Sequence, residues 1–509
     1  MSRSLYARLA QRFGPKPTDS TRRELLKASL VTGSALLLSS CTNTFSQDTF
    51  KFGGRGRRVV VIGGGFSGLA CAHELLAAGY EVVVLEARNR TGGRVITFRD
   101  MVQDKIVEGG GELIGSNHPA WVAYADKFKL GFRDVTEDES LESPIILRGK
   151  KLSTAEAKLL WEEMEAALST LTEAAQVVNA DEPWRTPGAT ALDRRTMADW
   201  LGTVETSELA KYAIQSDWEG NNGVAFDKQS YLGMLTQIKG GGGVKFWTDS
   251  EVYRCKQGNN ALAEKLAGVI GTERISLKTP VVAVASGNTG VIVSVADGRR
   301  FVAEHAVITV PPTVWHKIRF APRLPEGIAP QMGLNVKYLA AVRRRFWKDT
   351  GLSPDSTTDG EISMTWEGTD NQPGEKGAIL NCFSGGPAAE KVRARPPLER
   401  DTAYGEELSR LYPEFQENFV NSRFMDWPAD TWTLGGYSFP APGQITTYGK
   451  ALRKGVGRIH FAGEHTCHKF VGYMEGALQS GASAARRIAE HDAAGVTAAT
   501  TQPVRIMVK

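Results

Sequence analysis

Residues 59–70, VVVIGGGFSGLA, and residues 82–86, VVVLE, decide the fold of this chain. An apolar run, a glycine-rich turn, a second apolar run and a closing acidic residue are typical of a strand–helix–strand unit that binds a dinucleotide. Gly63, Gly65 and Gly68 fill the G-x-G-x-x-G positions, which permit a tight turn, close approach of a pyrophosphate and close packing of helix on strand. The acidic residue that closes the second run lies about 20 residues further on, where such a unit binds a ribose hydroxyl. The segment therefore predicts an α/β fold with a Rossmann-like domain.

The residues that follow favour a flavin over a nicotinamide. Residues 86–95 read EARNRTGGRV, a second glycine pair flanked by Arg88, Arg90 and Arg94. Such arginines can neutralise a pyrophosphate through charge-assisted hydrogen bonds. Arg88 and Arg90 also fit a solvated loop, and Arg94 is the stronger candidate. Nicotinamide-binding folds do not require this second motif.

This segment resembles the E-A-R-x-R-x-G-G-R signature of the flavin-containing amine oxidase family, which includes monoamine, polyamine and L-amino acid oxidases. Residues 458–466, RIHFAGEHT, and 472–477, GYMEGA, resemble the segment that closes the family's flavin site, and residues 279–284, TPVVAV, resemble its adenine-packing strand. The resemblance covers residues 57–490. It implies a glutathione-reductase-like FAD-binding domain with a discontinuous α+β substrate domain. The residues that it implies for FAD binding are Gly63, Gly65, Ser67, Gly68, Glu86, Ala87, Arg88, Gly93, Arg94, Gly110, Gly111, Glu112, Val281, Glu464, Gly472, Tyr473, Met474 and Ala477.

The same resemblance implies three catalytic side chains. Residues 333–347, GLNVKYLAAVRRRFW, resemble the family strand whose lysine holds a water against flavin N5, which assigns that role to Lys337. A lysine on an apolar strand can instead extend to solvent. Tyr473 falls on a position of the family's aromatic cage, and Tyr437 in WTLGGYSFP (432–440) is the second candidate. Monoamine oxidases carry a flavin-attaching cysteine after the two glycines of this stretch, and its absence here predicts non-covalent FAD.

The substrate class is less clearly indicated. In animal L-amino acid oxidases, an arginine that clamps the substrate carboxylate follows the loop equivalent to residues 107–115, VEGGGELIG, whereas this chain has Leu113 and Ile114. The run GELIGSNH (111–118) nevertheless resembles bacterial and fungal L-amino acid oxidases. We therefore expect an L-amino acid oxidase that yields a 2-oxo acid, ammonia and hydrogen peroxide. Alternatives are a monoamine or polyamine oxidase, or a dehydrogenase that reduces a quinone instead of oxygen. Glu112 can bind flavin, contact a cationic substrate or cap a helix, and the sequence leaves these roles open.

The order of the motifs implies a chain that alternates between two domains, and a homodimer is expected. Helical spacing from Ser153 to Lys211 and short apolar runs in residues 364–386 supply elements of a substrate domain. The expected segments are a leader (1–41), FAD-binding segments (55–115, 245–325 and 440–490), substrate segments (116–244 and 326–439) and a C-terminal tail (491–509).

Composition is that of an ordinary globular enzyme. The chain has 509 residues, of which 41% are hydrophobic and 23% charged, with a formal net charge of +4. No basic run interleaved with aromatic residues lies outside the N-terminal region, so no nucleic-acid partner is expected. The run EHTCH (464–468) lacks a second ligand cluster, and no metal site is expected.

The N-terminal region resembles an export signal. TRRELLK (21–27) precedes the apolar residues 28–38, as in a twin-arginine leader, and the apolar run is too short to span a bilayer. LSSC (38–41) also resembles a lipobox, which would make Cys41 a lipid anchor. The expected location is the periplasm, with or without membrane attachment.

Overall fold

The computed structural model describes residues 4–14, 54, 56–135, 141–374 and 376–500, with side chains up to residue 493. The twin-arginine pair, the apolar run and Cys41 lie outside the described residues. The strands are β1 (Arg58–Ile62), β2 (Glu81–Leu85), β3 (Thr97–Phe98), β4 (Val107–Glu108), β5 (Phe132–Asp134), β6 (Ile145–Leu147), β7 (Lys150–Lys151), β8 (Tyr253–Cys255), β9 (Ile275–Ser276), β10 (Val281–Ser286), β11 (Val291–Val295), β12 (Arg300–Ala303), β13 (His305–Ile308), β14 (Arg319–Ala321), β15 (Asn335–Val342), β16 (Ser356–Thr358), β17 (Met364–Glu367), β18 (Ala378–Gly385), β19 (Phe419–Asp426) and β20 (Ile459–Phe461).

The described residues also form α-helices. They are α1 (Leu5–Phe13), α2 (Phe66–Ala77), α3 (Pro119–Phe128), α4 (Thr154–Ala174), α5 (Ala189–Arg194), α6 (Met197–Gly202), α7 (Glu208–Asn222), α8 (Tyr231–Gly240), α9 (Val244–Asp249), α10 (Asn260–Ile270), α11 (Pro387–Ala394), α12 (Pro397–Leu411), α13 (Phe415–Asn418), α14 (Gln444–Lys454) and α15 (Met474–Thr500). Within the described parts of the chain, none of these helices combines the length and apolarity needed to cross a membrane.

A five-stranded sheet with every neighbouring pair parallel carries the dinucleotide motif. Its order is β20-β13-β1-β2-β9, so strands from three separate stretches of the chain lie side by side. The central strand, β1, is buried from Val59 to Ile62. Continuous apolar runs of this kind are typical of parallel strands covered on both faces. The predicted α/β dinucleotide fold is confirmed.

Glycines allow two helices to lie unusually close to each other and to the sheet. A Cβ atom at Gly68 would lie 1.9 Å from the carbonyl oxygen of Gly63, and one at Gly481 would lie 2.1 Å from the carbonyl oxygen of Ser67. The first contact sets α2 against the turn after β1, and the second sets α15 against α2. The third glycine of the motif therefore has the packing role that the sequence predicts.

A seven-stranded mixed sheet forms the other large layer, in the order β19-β15-β18-β17-β16-β6-β7. Strand β15, which carries Lys337, lies between β18 and β19 and is buried at all eight positions. Strands β17 and β18 confirm the prediction of strands in residues 364–386. A smaller four-stranded sheet has the order β12-β11-β10-β14.

Helix α1 lies inside the segment that we expected to be a leader outside the fold. Leu5, Tyr6 and Leu9 are buried among the helices of the substrate layer. The backbone nitrogen of Leu5 donates to Asp217 Oδ1 at 2.9 Å, and Arg8 donates to two backbone carbonyls of the seven-stranded sheet at 2.6 and 3.0 Å. Residues 4–14 are therefore part of the folded unit, because their apolar face and buried arginine have partners there.

Helix α15 continues past residue 490, where the sequence predicted a tail. Asp492 is buried and accepts hydrogen bonds from Tyr80 at 2.9 Å and His305 at 3.2 Å. These contacts join α15 at Asp492 to β13 and to the residue that precedes β2. The predicted tail therefore begins too early.

Candidate active site

A deep cavity lies at the carboxyl ends of β1, β2 and β13, between the parallel sheet and the seven-stranded sheet. The space between its walls, including open solvent at the mouth, amounts to about 1430 Å³. Gly63, Glu86 and Thr309 follow the three strands directly and line one end of it. Ligands of open α/β sheets bind at this edge, because the turns after the strands leave a crevice there.

The glycine turn supplies a backbone wall at that end. Gly63 has φ +113° and Gly93 has φ +58°, conformations that a side chain disfavours. A Cβ atom at Gly93 would lie 3.2 Å from Gly65 Cα, so the two glycine motifs touch. Gly65 precedes α2, whose first backbone N–H groups point toward the cavity, and such a helix end attracts a phosphate.

Glu86 is held in place by backbone donors. Its Oε2 accepts from Gly64 N at 2.6 Å and its Oε1 accepts from Arg88 N at 2.7 Å. The carboxylate is buried and lines the cavity. Because each carboxylate oxygen can accept a second hydrogen bond, these contacts leave acceptor capacity for a ribose hydroxyl.

Two of the arginines expected at a pyrophosphate have protein partners instead. Arg88 lines the cavity, but its guanidinium donates to Asp430 at 2.8 and 2.5 Å and to Thr433 at 2.9 Å. Arg90 donates to the carbonyl of Gly93 at 2.7 Å and orders the second glycine turn. Both residues fix loop geometry. The partner of the Arg88 guanidinium therefore differs from the predicted pyrophosphate, because a carboxylate far along the sequence neutralises this side chain.

Arg94 and Glu464 form a polar pair in the middle of the cavity wall. Arg94 Nη1 donates to Glu464 Oε1 at 3.0 Å and to the carbonyl of Gly436 at 2.8 Å. Glu464 also accepts from Ser438 Oγ at 2.5 Å and Gly472 N at 2.8 Å. Burial alone would raise the pKa of Glu464, but Arg94 and these donors hold it below its usual range. An ionised carboxylate at this point can accept hydrogen bonds from a bound polyol.

Most residues predicted to bind the cofactor do line the cavity, and two do not: Gly68, which packs α2 on the turn after β1, and Val281. Val281 lies in an apolar cluster between the parallel and four-stranded sheets and is not among the cavity-lining residues. The assignment of Val281 is not supported, because its strand turns that side chain into the core. The predicted residues that line the cavity are Gly63, Gly65, Ser67, Glu86, Ala87, Arg88, Gly93, Arg94, Gly110, Gly111, Glu112, Glu464, Gly472, Tyr473, Met474 and Ala477.

Sequence reasoning missed part of the wall. Thr309 and Val310 follow β13, and Thr309 Oγ1 donates to the carbonyls of Ile62 and Gly63 at 2.8 and 3.1 Å. The signal was present, since an apolar run ending in Thr-Val-Pro-Pro marks the end of a parallel strand. Trp366 and Phe383 also line the cavity, and no motif marks either of them.

Lys337 reaches the far end of the cavity from β15. Its side chain is 8% exposed, which excludes the alternative that it extends to solvent. Nζ donates to Glu112 Oε2 at 2.5 Å and to the carbonyl of Gly110 at 2.8 Å, and lies 5.4 Å from the centre of the Trp366 ring. The lysine is therefore fixed at the cavity wall by an ion pair that the sequence did not predict.

Glu112 is the centre of a buried polar network. Besides Lys337, it accepts from Arg254 Nε at 2.7 Å, Trp366 Nε1 at 2.8 Å and Asn381 Nδ2 at 3.0 Å. Burial would raise the pKa of Glu112, yet Lys337 and Arg254 hold it below its usual range. Glu112 therefore anchors Lys337, a role that the sequence did not suggest, and it also lines the cavity, where its binding to flavin stays a prediction.

Tyr437 and Tyr473 line the same end as Lys337, together with Trp366, Phe383 and Asn335. Asn335 Nδ2 donates to the hydroxyl of Tyr437 at 3.1 Å. Burial raises the pKa of both tyrosines well above the ordinary value, so both phenols stay neutral. The structure thus brings together the three residues predicted to be catalytic.

Comparison with known proteins agrees with this geometry. The family model of the flavin containing amine oxidoreductases matches residues 66–489. The chain belongs to this family. As a flavin amine oxidoreductase, it is 28% identical to pig amine oxidase [flavin-containing] B over 456 residues, which cover 84% of this chain and 85% of that protein. It is 26% identical to the probable flavin-containing monoamine oxidase A of Dictyostelium discoideum, over 84% of this chain and 97% of that protein.

Solved structures show the same architecture. The structure of cyclohexylamine oxidase from Brevibacterium oxydans IH-35A superposes with a TM-score of 0.76 at 27% identity, covering 86% of this chain and 99% of that one. A putrescine oxidase variant shares the fold with a TM-score of 0.77 at 24% identity, covering 85% of this chain and 99% of that one. These likenesses confirm the predicted fold class.

The cavity fits FAD, the cofactor of this oxidoreductase. The glycine turn and α2 would hold the pyrophosphate. Glu86 would accept a hydrogen bond from the ribose of FAD, and Glu464 would accept one from its ribitol chain. Gly472 has φ +83° and brings bare backbone to the end where Lys337 lies. None of the four described cysteines lines the cavity, which agrees with non-covalent binding. A bound flavin supplies the acceptor for a hydride from the carbon that carries the amine.

Proposed function

We propose that this protein is an FAD-dependent oxidase of primary amines that lack an α-carboxylate. The observation that supports this proposal best is the lining of the cavity near Lys337. Four aromatic side chains and one amide surround the space in front of this lysine. An aromatic pocket suits a neutral amine with an apolar body. The sequence favoured an L-amino acid, and the cavity wall is our reason for placing the simple amine first.

The cations of the wall are already paired. Among the described residues that line the cavity, the charged donors are Arg88, Arg94 and Lys337. Arg88 pairs with Asp430 and Arg94 with Glu464 at the cofactor's end, and Lys337 pairs with Glu112. A substrate carboxylate buried beside Phe383 and the tyrosines would therefore have no described cation to offset its desolvation.

The protein's own contribution to the reaction is orientation and control of solvent. Tyr437 and Tyr473 present apolar ring faces, which guide an amine while excluding bulk water. Their phenols stay neutral, so neither places a negative charge beside the substrate that would hold its amine as an ammonium. Lys337, fixed by Glu112 and the carbonyl of Gly110, keeps one ammonium proton that can hold a water in the cavity. Oxidation of the C–N bond gives an imine, which water hydrolyses to an aldehyde or ketone and ammonia, while oxygen takes up two electrons and becomes hydrogen peroxide.

The test compares matched pairs of substrates. Peroxide release is measured for 2-phenylethylamine against L- and D-phenylalanine, and for 3-methylbutylamine against L-leucine. We expect kcat/KM for each amine to exceed that of its amino acid by at least about a hundredfold, because burying an unpaired carboxylate costs several kcal/mol. Preference for the L-amino acids would contradict the proposal and restore the function expected from the sequence. A reduced flavin that reacts with quinones but not with oxygen would replace the oxidase with a dehydrogenase.

We also propose export through the twin-arginine pathway to the periplasm, with or without lipid attachment at Cys41. The sequence motifs in residues 21–41 support this proposal. The position of α1 in the fold gives the proposal a consequence that can be tested. Cleavage before Cys41 would remove α1 together with Tyr6 and Leu9, and would uncover the apolar surface on which these two residues pack. Mass spectrometry of protein recovered from the periplasm and membranes tests this. A recovered protein that still contains residue 5 would contradict cleavage, and an unmodified Cys41 would contradict lipidation.

A further inference from the structure

A group of histidines lies at the end of the parallel sheet opposite the active-site cavity. His305 is the first residue of β13, whereas Thr309, directly after the other end of that strand, lines the cavity. His491 and Asp492 belong to α15, and His460 lies on β20, the neighbour of β13. We call these three histidines and the aspartate the histidine cluster.

Three atoms of the histidine cluster converge on one point. His305 Nε2 lies 3.2 Å from Asp492 Oδ1, and His491 Nδ1 lies 3.4 Å from the same oxygen. All three atoms lie within 4.8 Å of one another. Zinc ligands lie ~2.0–2.2 Å from the metal, so two ligands of a tetrahedral site are about 3.4 Å apart. The two distances to Asp492 Oδ1 match this edge to within about 0.2 Å, which is the tolerance expected of a metal site.

The other atoms of the cluster have partners that hold the three converging atoms in place. Asp492 Oδ2 accepts from the Tyr80 hydroxyl at 2.9 Å and lies 3.0 Å from Arg57 Nη1. These contacts orient the carboxylate with Oδ1 toward the two imidazoles. His305 Nδ1 lies 3.1 Å from His460 Nε2. A ligating histidine normally has such a partner for its other ring nitrogen, because this second contact fixes the ring.

The hydrogen bonds among the three atoms can be exchanged for bonds to a metal. A neutral imidazole carries one ring proton. When His305 Nε2 binds the metal, this proton lies on Nδ1 and is donated to His460 Nε2. His491 binds through Nδ1 and carries its proton on Nε2. Its side chain is 65% exposed, which gives the ion a path from solvent and leaves room for a water as a fourth ligand.

We propose that His305, His491 and Asp492 bind one zinc ion, with water as the fourth ligand. Two imidazoles and a carboxylate suit Zn²⁺, whereas Mg²⁺ and Ca²⁺ prefer oxygen ligands alone. The ion joins α15 to β13, and because its ligands are up to 187 residues apart, the sequence shows no metal-binding spacing. An ion that binds the folded chain and not the unfolded one stabilises the fold. The site lies away from the cavity, so its role is structural.

The test titrates ZnCl₂ into the full-length holoenzyme, purified without a histidine tag and treated with EDTA. Calorimetry should show one tight site per chain. Three protein ligands and the nearby Arg57 make this site weaker than that of a zinc finger, and we expect a dissociation constant of about 1 µM. Mg²⁺ should not compete. A free Zn²⁺ concentration a hundredfold above the dissociation constant should raise the midpoint of thermal unfolding by about 2–3 °C relative to EDTA.

His491→Ala removes a ligand whose side chain is mostly exposed, so the fold does not depend on it. It should weaken Zn²⁺ binding by at least about a hundredfold and abolish the thermal shift, while flavin content and amine turnover stay unchanged. The matched control is His316→Ala, which removes an exposed histidine outside the cluster and should keep both the affinity and the shift. Asp492 is left intact in this test, because its loss would also break the contact with Tyr80.

Cobalt gives a second readout of the same site. Tetrahedral Co²⁺ absorbs at wavelengths longer than those of oxidised flavin, and this band should appear in the unmodified enzyme and in His316→Ala but not in His491→Ala. No zinc binding to the unmodified enzyme, equal binding to His491→Ala, or a cobalt band that persists in that variant would overturn the inference. None of these results bears on the proposed function, which amine oxidation tests separately.

Discussion

Removal of the Glu112 carboxylate is expected to destabilise the protein strongly. The side chain is 2% exposed and accepts hydrogen bonds from Lys337, Arg254, Trp366 and Asn381. Glu112→Ala leaves a buried lysine and a buried arginine without part of their counter-charge. Breaking a buried ion pair from one side costs about 3–5 kcal/mol. Glu112→Gln keeps the shape and one acceptor oxygen, so we expect a smaller loss of about 1–3 kcal/mol.

The assay is urea unfolding of the holoenzyme followed by tryptophan fluorescence, with flavin content measured in parallel. The matched control is Glu273→Ala, which removes an exposed ion pair with Arg274 and should change the unfolding free energy by less than ~1 kcal/mol. Because the pKa of Glu112 is lowered in the folded state, its stabilisation is present above the unfolded pKa near 4.5 and is lost as pH falls through the folded pKa. The difference from Glu112→Gln should therefore shrink below pH 4.5. A Glu112→Ala effect no larger than that of the control would refute the reasoning.

Five further variants, at four positions, test other parts of the account. Lys337→Met should slow flavin reduction or reoxidation roughly a hundredfold while the protein retains its FAD. Stopped-flow absorbance measures both rates, and unchanged rates would remove Lys337 from the catalytic residues. Tyr473→Ala should lower kcat/KM for amines by at least about tenfold, because a ring face is lost from the cage. Tyr473→Phe keeps the ring, so its kcat/KM should stay within about threefold of that of the unmodified enzyme. Equal losses in the two variants would assign the role to the hydroxyl. Arg94→Ala should weaken FAD binding by at least about tenfold, because it leaves the Glu464 carboxylate buried without its cation, and an unchanged dissociation constant in a flavin-release titration would contradict this. Asp492→Asn should cost ~1–3 kcal/mol at neutral pH. Since the pKa of Asp492 is lowered in the folded state, this cost should begin to decrease as pH drops below 3.8 and disappear only as pH falls through the lowered folded pKa; a cost that is the same at pH 3 as at pH 6 would exclude ionisation as its cause.

The parts of the fold that local sequence determines were predictable. The glycine turn after β1 needs a positive φ at Gly63 and a missing side chain at Gly68, and neighbouring residues reveal both requirements. Strand β15 was visible as an apolar run around Lys337. The position of Lys337 at the cavity was implied by family resemblance, since a single lysine on a strand carries no such information by itself.

What the sequence did not reveal depends on partners far apart in the chain. Arg88 is neutralised by Asp430, 342 residues away, and no local pattern indicates that pair. Glu112 and Arg254 meet across 142 residues for the same reason. Helix α1 was expected to be part of a leader because the twin-arginine motif follows it, whereas its role in the fold comes from a cleft assembled by distant helices.

Anaerobic reduction of the bound flavin tests the central claim most directly. Purified yellow protein is mixed in a stopped-flow spectrophotometer with 2-phenylethylamine or L-phenylalanine at equal concentration, and the loss of flavin absorbance is followed. We expect the amine to bleach the flavin within seconds and the amino acid to leave it oxidised on that timescale, because the cavity pairs every described lining cation with protein carboxylates. Rapid bleaching by L-phenylalanine with no reaction of the amine would contradict the account.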